Sequence, residues 1–309
     1  MSTGDLERTT SRATRLARLG FTDAVQADAL ATRAGIGFGS LTELSRVADP
    51  DLALASLVRL VDASVASTGL DDRHDARALH LTLESDVAFR ARLFAVLGAS
   101  VALGDHLATH PADWIELADS GLDAGFPGLS DLRAVLTGAV TGKTGAAAQE
   151  ALRSTYRRLL MRLAAEDLSG TVSFDDAGAE LADLACATLD AALVIARAEL
   201  PATAVPCRLA VIAMGKCGGR ELNYISDVDV VFVAEPDLSA TGDAGAVDES
   251  AALRTATQLA TGMIRACAPI WEVDAALRPE GKMGPLVRTL ASHVAYYQRW
   301  AKTWEFQAL

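Results

Sequence analysis

Residues 214–229 read Met214-Gly-Lys-Cys-Gly-Gly-Arg-Glu-Leu-Asn-Tyr-Ile-Ser-Asp-Val-Asp229. Immediately before them, Leu209-Ala-Val-Ile-Ala-Met214 is a short apolar run bounded by Pro206 and Gly215, which predicts a strand buried on both faces. Residues 227–233, Asp-Val-Asp-Val-Val-Phe-Val, predict a second strand. Between the two lie three glycines that allow tight backbone approach and a turn of about half a dozen residues. Side chains alternate on a strand, so Asp227 and Asp229 project from one face while Val228 and Val230 fill the other. Two carboxylates on one face repel each other unless a cation lies between them. Hard oxygen ligands suit Mg2+, which takes one or two protein carboxylates and completes its octahedron with phosphates and water. Gly218 and Gly219 can offer backbone N–H groups to those phosphates.

Working outward, Trp271-Glu-Val-Asp-Ala-Ala-Leu-Arg278 supplies a third acid. Read as a strand over 270–277 turning at Pro279-Glu-Gly281, its even-numbered face holds Glu272, Asp274, Ala276 and Arg278, and the odd-numbered face is apolar or small. Asp274 then joins the first two carboxylates, and Arg278 points toward a nucleotide's phosphates. An Asp-x-Asp at a strand edge is usually solvated and a Gly-Gly is usually a turn. Here the acids lie on Val- and Ile-rich strands, where they are costly unless paired or metal-bound. Lys216 reads either as a phosphate contact or as a solvent-facing lysine. Ser226 reads either as a ligand to a phosphate oxygen or as the end of the turn. His74, His80, His106, His110 and His293 are scattered over expected helices and carry no chemistry in this reading.

Upstream, from about Leu16 to Leu200, apolar residues recur at threes and fours and strand signals are nearly absent, which predicts a succession of helices. Phe89, Leu93, Val96 and Leu97 form one stripe, and Ala146 to Leu168 forms a long amphipathic helix. Ser173 caps a still longer helix that ends before Pro201. Downstream, 235–250 is an acidic surface loop, a helix runs through Leu253, Ala260, Met263 and Ile264, and Thr289 to Leu309 is one helix without a stop signal. That missing stop predicts a piece of a longer protein, with Tyr297, Trp300 and Trp304 awaiting cover. The expected architecture is α+β: a mostly helical region over 1–200, then a mixed sheet with flanking helices over 201–309.

Composition narrows the partners. The 309 residues hold 28 Lys+Arg against 40 Asp+Glu, a formal charge of −12, and no basic run stands out, with Arg157-Arg158 and Arg278 with Lys282 being scattered pairs. A nucleic-acid groove needs clustered cations and is not expected. Half the residues are apolar and 5% are aromatic, as in an Ala- and Leu-rich helical protein. No apolar run reaches the roughly 18 residues of a membrane span, and the first residues lack a signal peptide's basic and apolar regions. Cys186, Cys207, Cys217 and Cys267 have no metal-finger spacing and read as thiols in a reducing compartment. A cytoplasmic protein is expected.

The pattern apolar-Gly-Gly, spacer, Asp-apolar-Asp-apolar, with a later third Asp, resembles nucleotidyltransferases of polymerase-beta type. The string from Ala213 through Phe232, with Val273-Asp-Ala-Ala-Leu-Arg-Pro-Glu-Gly281, closely resembles the bifunctional glutamine synthetase adenylyltransferase and adenylyl-removing enzymes. Tyr156-Arg-Arg-Leu-Leu160 and Leu181-Ala-Asp-Leu-Ala185 are similar too, so the likeness covers most of the chain. That family carries two such domains in one longer chain, the first removing AMP from glutamine synthetase and the second attaching it. Glu221-Leu-Asn-Tyr224 before the acids, and about two hundred helical residues before the motif, resemble the first half. Cys217 stands where the family usually has an aliphatic residue, and is expected to act as a small hydrophobe.

The resemblance implies phosphorolysis of adenylyl-tyrosine to ADP, with Asp227, Asp229 and Asp274 catalytic and holding Mg2+. Gly218, Gly219, Ser226, Lys216 and Arg278 would lie around the nucleotide and phosphate. It implies glutamine synthetase as protein substrate, ATP/ADP and phosphate as small-molecule partners, and a nitrogen-signalling regulatory protein as a further partner. Two alternatives stay open: another polymerase-beta-type nucleotidyltransferase, and a nucleotide-binding regulatory module without turnover.

Overall fold

Side-chain caps punctuate the helical lead-in. In the computed structural model, which describes residues 12–67, 75–118, 125–237 and 248–307, Asp23, Asp49, Asp75, Asp86 and Ser100 each accept backbone N–H bonds at a helix start. The helices are α1 (Arg12–Arg18), α2 (Ala24–Arg33), α3 (Phe38–Leu44), α4 (Pro50–Ala66), α5 (Ala76–Ser85), α6 (Val87–Ala99), α7 (Val101–Thr109) and the short α8 (Ile115–Ala118). Pro111 opens a 3-10 turn before α8, where its missing N–H costs nothing. These helices form one compact unit, up to Gly125, together with Met161–Val172. Its core holds Leu54, Leu57, Leu60, Phe89, Leu93, Leu97 and Trp114, with Phe89 edge-on to Trp114 at 5.5 Å. Arg90 is a charged member of that core. Its guanidinium grips Glu43 through Nε and Nη2 at 2.8 and 3.0 Å and donates to the Leu83 carbonyl at 2.7 Å.

The second unit comprises Phe126–Leu160 and Ser173–Leu309. It contains α9 (Leu129–Val140), the first part of α10 (Gly145–Leu168) and α11 (Phe174–Ala198), whose Ser173 cap was legible in the sequence. Then come β1 (Cys207–Ala213), a single helical turn α12 (Gly215–Gly218), β2 (Val228–Pro236) and α13 (Glu249–Cys267). The chain finishes with β3 (Val273–Asp274), β4 (Val287–Arg288), α14 (Leu290–Arg299) and α15 (Thr303–Gln307). β2 is central. β1 pairs with it antiparallel, while β3 and β4 pair with it in parallel, in the registers Asp229 to Asp274 and Phe232 to Val287. The architecture is α+β, with a small mixed sheet and flanking helices.

Three expectations need correction. β1 is not buried on both faces: it pairs only with β2, and Arg208, Ala210 and Ile212 are exposed. The expected strand over 270–277 is only Val273–Asp274, because the chain turns at Ala276. β4 is too short to give a periodic signal. The expected final helix is two, α14 and α15. Between them the buried Glu305 carboxylate takes the Lys302 N–H at 2.7 Å and the Tyr296 hydroxyl at 2.8 Å, a side-chain capture that competes with the helical ladder. Trp300 is 72% exposed, whereas Tyr297 packs edge-on to Phe306. Of the acidic loop expected over 235–250, residues 238–247 lie outside the described residues, as does His74.

Among the described residues no single helix is long and apolar enough to cross a membrane. The pair α6 and α7 reaches that length and composition only jointly, across a bend of 116°, and both line the first unit's core.

Candidate active site

Two strand ends and one glycine turn make the site. β1 runs into Met214, whose N–H donates to the Asp229 carbonyl at 2.9 Å, so the start of α12 is tied to the residue that carries the acid. Gly215 has φ +52°, and a Cβ there would fall 2.6 Å from Asp229 Oδ2. Only glycine lets the turn come this close to the carboxylate. A Cβ on Gly218 would meet the Ala213 carbonyl oxygen at 2.5 Å. The N–H groups of Gly218 and Gly219 donate to Met214 O and Gly215 O, each at 2.9 Å. These two glycines therefore provide close backbone packing. The first N–H groups of α12, which has no side-chain cap, belong instead to residues 215–217.

Asp227 lies exposed just before β2, and Asp229 is its half-buried second residue. Asp274 sits opposite Asp229 in the parallel register of β3, and its Oδ1 accepts the Ala276 N–H at 2.7 Å. One carboxylate oxygen from each of Asp227, Asp229 and Asp274 lies within 4.8 Å of the others. Burial, then the charges of Asp227 and Asp274, push the Asp229 carboxyl above the usual carboxylate range, and Lys216 opposes them. Three convergent carboxylates, one of them already reluctant to ionise, are a donor set for a hard divalent cation.

The remaining expected residues are placed less uniformly. Ser226 Oγ lies 3.5 Å from Asp227 Oδ1, at the edge of hydrogen-bond reach. Arg278 is not on the strand face. Its Nη1, Nε and Nη2 donate to the carbonyls of Ala275, Gly284 and Lys282 at 2.7, 3.1 and 3.1 Å, which knots the loop after β3. Burial lowers its pKa, with Asp274 opposing, so its charge still sits beside the acids. Sequence reasoning did not single out Gly215, although its position directly after the strand was a signal. It also missed the clamp behind the turn, where Arg220, at φ 58°, forks onto Asp183 of α11 with Nη2 to Oδ2 at 2.9 Å. Two of the histidines take structural roles: His106 bonds Asp113 at 2.8 Å and His293 Nδ1 meets the Thr289 carbonyl at 3.1 Å.

A helical lead-in, a mixed sheet and acids at the heads of two parallel strands beside a glycine turn are the features of a nucleotidyltransferase-type protein. The sequence carries the matter further. Residues 90–309 match the family described as glutamate-ammonia ligase adenylyltransferase, and the chain belongs to that family. It is 50% identical, over 98% of its length, to the bifunctional glutamine synthetase adenylyltransferase/adenylyl-removing enzyme of Streptomyces avermitilis. It is 49% identical over 98% to the protein of that name from Streptomyces coelicolor and 48% over 87% to that from Mycolicibacterium smegmatis. The chain spans 29%, 30% and 26% of those relatives' lengths.

Proposed function

We propose that this chain removes AMP from the adenylyl-tyrosine of glutamine synthetase by phosphorolysis, giving ADP and a free tyrosine. The observation that carries the proposal is the convergence of Asp227, Asp229 and Asp274 within 4.8 Å. The choice of protein substrate is supported by the relatives, which are named for acting on glutamine synthetase in both directions. The choice of removal over attachment is supported by Glu221-Leu-Asn-Tyr224 before the acids and by the long helical lead-in, both of which resemble the family's first half. Residues 201–309 would form the catalytic domain and 1–200 its helical region.

Asp227, Asp229 and Asp274 would hold Mg2+, which when bound supplies positive charge against the transferring phosphoryl group and the leaving oxygen. The chain's own groups do the rest. Phosphate is already ionised near neutral pH, so the site needs no base to activate it. The departing tyrosinate, with a reference pKa near 10, needs stabilisation, and the Lys216 ammonium next to Asp229 adds cationic charge there. Gly215 keeps the turn within van der Waals reach of the Asp229 carboxylate. Arg278 acts through its charge beside Asp274, and direct phosphate contact would require the 281–284 turn to release its N–H groups. Gly218, Gly219 and Ser226 border the phosphate path in this reading.

The experiment is to incubate the protein with adenylylated glutamine synthetase, Mg2+ and phosphate and to follow ADP by chromatography. ADP that depends on all three additions supports the reading; its absence from folded protein opposes it.

A further inference from the structure

The two ends of the β1–β2 pair fix which backbone groups of β1 face outward. The Met214 N–H donates to the Asp229 carbonyl at 2.9 Å, and the Asp237 N–H to the Pro206 carbonyl at 3.2 Å. Both bonds continue the register that pairs Cys207 with Pro236 and Ala213 with Val230. In an antiparallel ladder hydrogen-bonded pairs alternate, so on β1 they fall at Arg208, Ala210 and Ile212. The N–H and C=O groups of Leu209 and Val211 therefore point away from β2. Among the described residues no backbone hydrogen bond meets them, because β1 pairs with no other strand.

Such an edge is usually blunted by proline, lysine, a bulge or a cover. Cys207–Ala213 holds no proline or lysine, its register is unbroken, and Arg208 is its only charge. β1 also ends at the acids, since it runs through Met214 into Gly215, which abuts Asp229. Residues opposite each other in a ladder share a face. Ile212, paired with Val231, is thus the diagonal neighbour of Asp229 on the same face, and it is 46% exposed.

We propose that the outer edge of β1 docks the protein substrate: the segment that carries the adenylylated tyrosine adds there as a further strand, hydrogen-bonded to Leu209 and Val211, and its tyrosine reaches over Ile212 to the acids. This rests on the proposed action on an adenylyl-tyrosine in a protein. An added strand lies two strand spacings, roughly 10 Å, from β2, a gap suited to a long side chain such as tyrosine with its phosphoryl group. Backbone pairing gives affinity for extended polypeptide. A lone adenylyl-tyrosine cannot use it. The edge's ending at the acids favours the substrate over a second copy of this chain, whose pairing has no need to end there.

Val211→Pro tests this, because it removes an outward N–H and blocks the edge with a ring while leaving the bonds to β2 in place. ADP formation with Mg2+ and phosphate is measured on adenylylated glutamine synthetase and on O-adenylyl-N-acetyltyrosine amide, which has no flanking chain. The expected result is a KM for the protein substrate raised about tenfold or more, with kcat and the rate on the small substrate unchanged. In the unchanged protein, the Leu209 and Val211 amides should exchange readily with solvent and become protected when adenylylated glutamine synthetase is added without phosphate. An unaltered KM, or an equal loss on both substrates in folded variant, would overturn the docking site. So would amides at Leu209 and Val211 that stay open with the substrate added, and this exchange result decides alone if Val211→Pro does not fold. Dimerisation abolished by Val211→Pro, with KM unaltered, would give the edge to a second copy and overturn the proposal. No ADP from either substrate with the unchanged protein would count against the proposed function, and amide protection would then still decide the edge.

Discussion

Asp229 is held by a turn that glycine alone permits, and it stands between two other acids in partial burial. Its carboxyl is raised above the usual range, so without metal the ionised form weakens the fold: that contribution is favourable below the ordinary carboxylate pKa and is lost as pH rises through the raised value. Asp229→Asn removes the repulsion, and the melting temperature without Mg2+ should be no lower than that of the unchanged protein. Mg2+ should then raise the melting temperature of the unchanged protein and not that of the variant, and turnover should fall at least about 100-fold. An equal Mg2+ shift in both would refute the ligand assignment. Gly215→Ala asks a different question, since the new Cβ meets Asp229 Oδ2 at 2.6 Å in a backbone region that costs an L-residue about 1–2 kcal/mol. Stability should drop by roughly that much, with a loss of turnover, as denaturant and rate measurements would show. The three acids were legible because alternation on Val-rich strands leaves few other uses for them. Arg278 was misplaced because the even-face argument assumed a strand that ends at Asp274.

At the scale of elements, periodicity served the long helices well. α10 and α11 start and stop close to where their caps and apolar spacing put them, and the α6 stripe of Phe89, Leu93, Val96 and Leu97 is fully buried. Periodicity failed where an element is too short to repeat, as in β3 and β4, and where a single side-chain capture decides, as that of the Lys302 N–H and the Tyr296 hydroxyl by Glu305 does at the break between α14 and α15. The tie between α3 and α6, across 47 residues, is a pairing that periodicity cannot show at all. The hydrogen bond from Arg90 holds the Glu43 carboxyl below its usual value of 4.5. Its contribution is therefore present above that value and lost as pH falls through the lowered one. Glu43→Gln leaves a buried guanidinium without its counter-charge, and because Glu43 is itself 32% exposed the cost should be about 2 kcal/mol rather than that of a fully buried pair. Urea melts should show this gap at neutral pH and its closure below about pH 4. A gap independent of pH would mean that packing, not charge, holds α3 to α6.

For the whole molecule, acidic balance and α+β architecture agree with a chain that handles nucleotide through a few placed charges and not through a basic surface. The acids alone would serve removal or attachment of AMP equally well, so the direction of the reaction is the claim most exposed to test. Adenylylated glutamine synthetase, Mg2+ and isotopically labelled inorganic phosphate should be incubated with this chain, and in parallel unmodified glutamine synthetase with labelled ATP. The account predicts label in the β-phosphate of ADP, no ADP with Asp229→Asn, and no useful transfer of AMP from ATP. Efficient attachment of AMP to unmodified glutamine synthetase, with no labelled ADP formed, would contradict it.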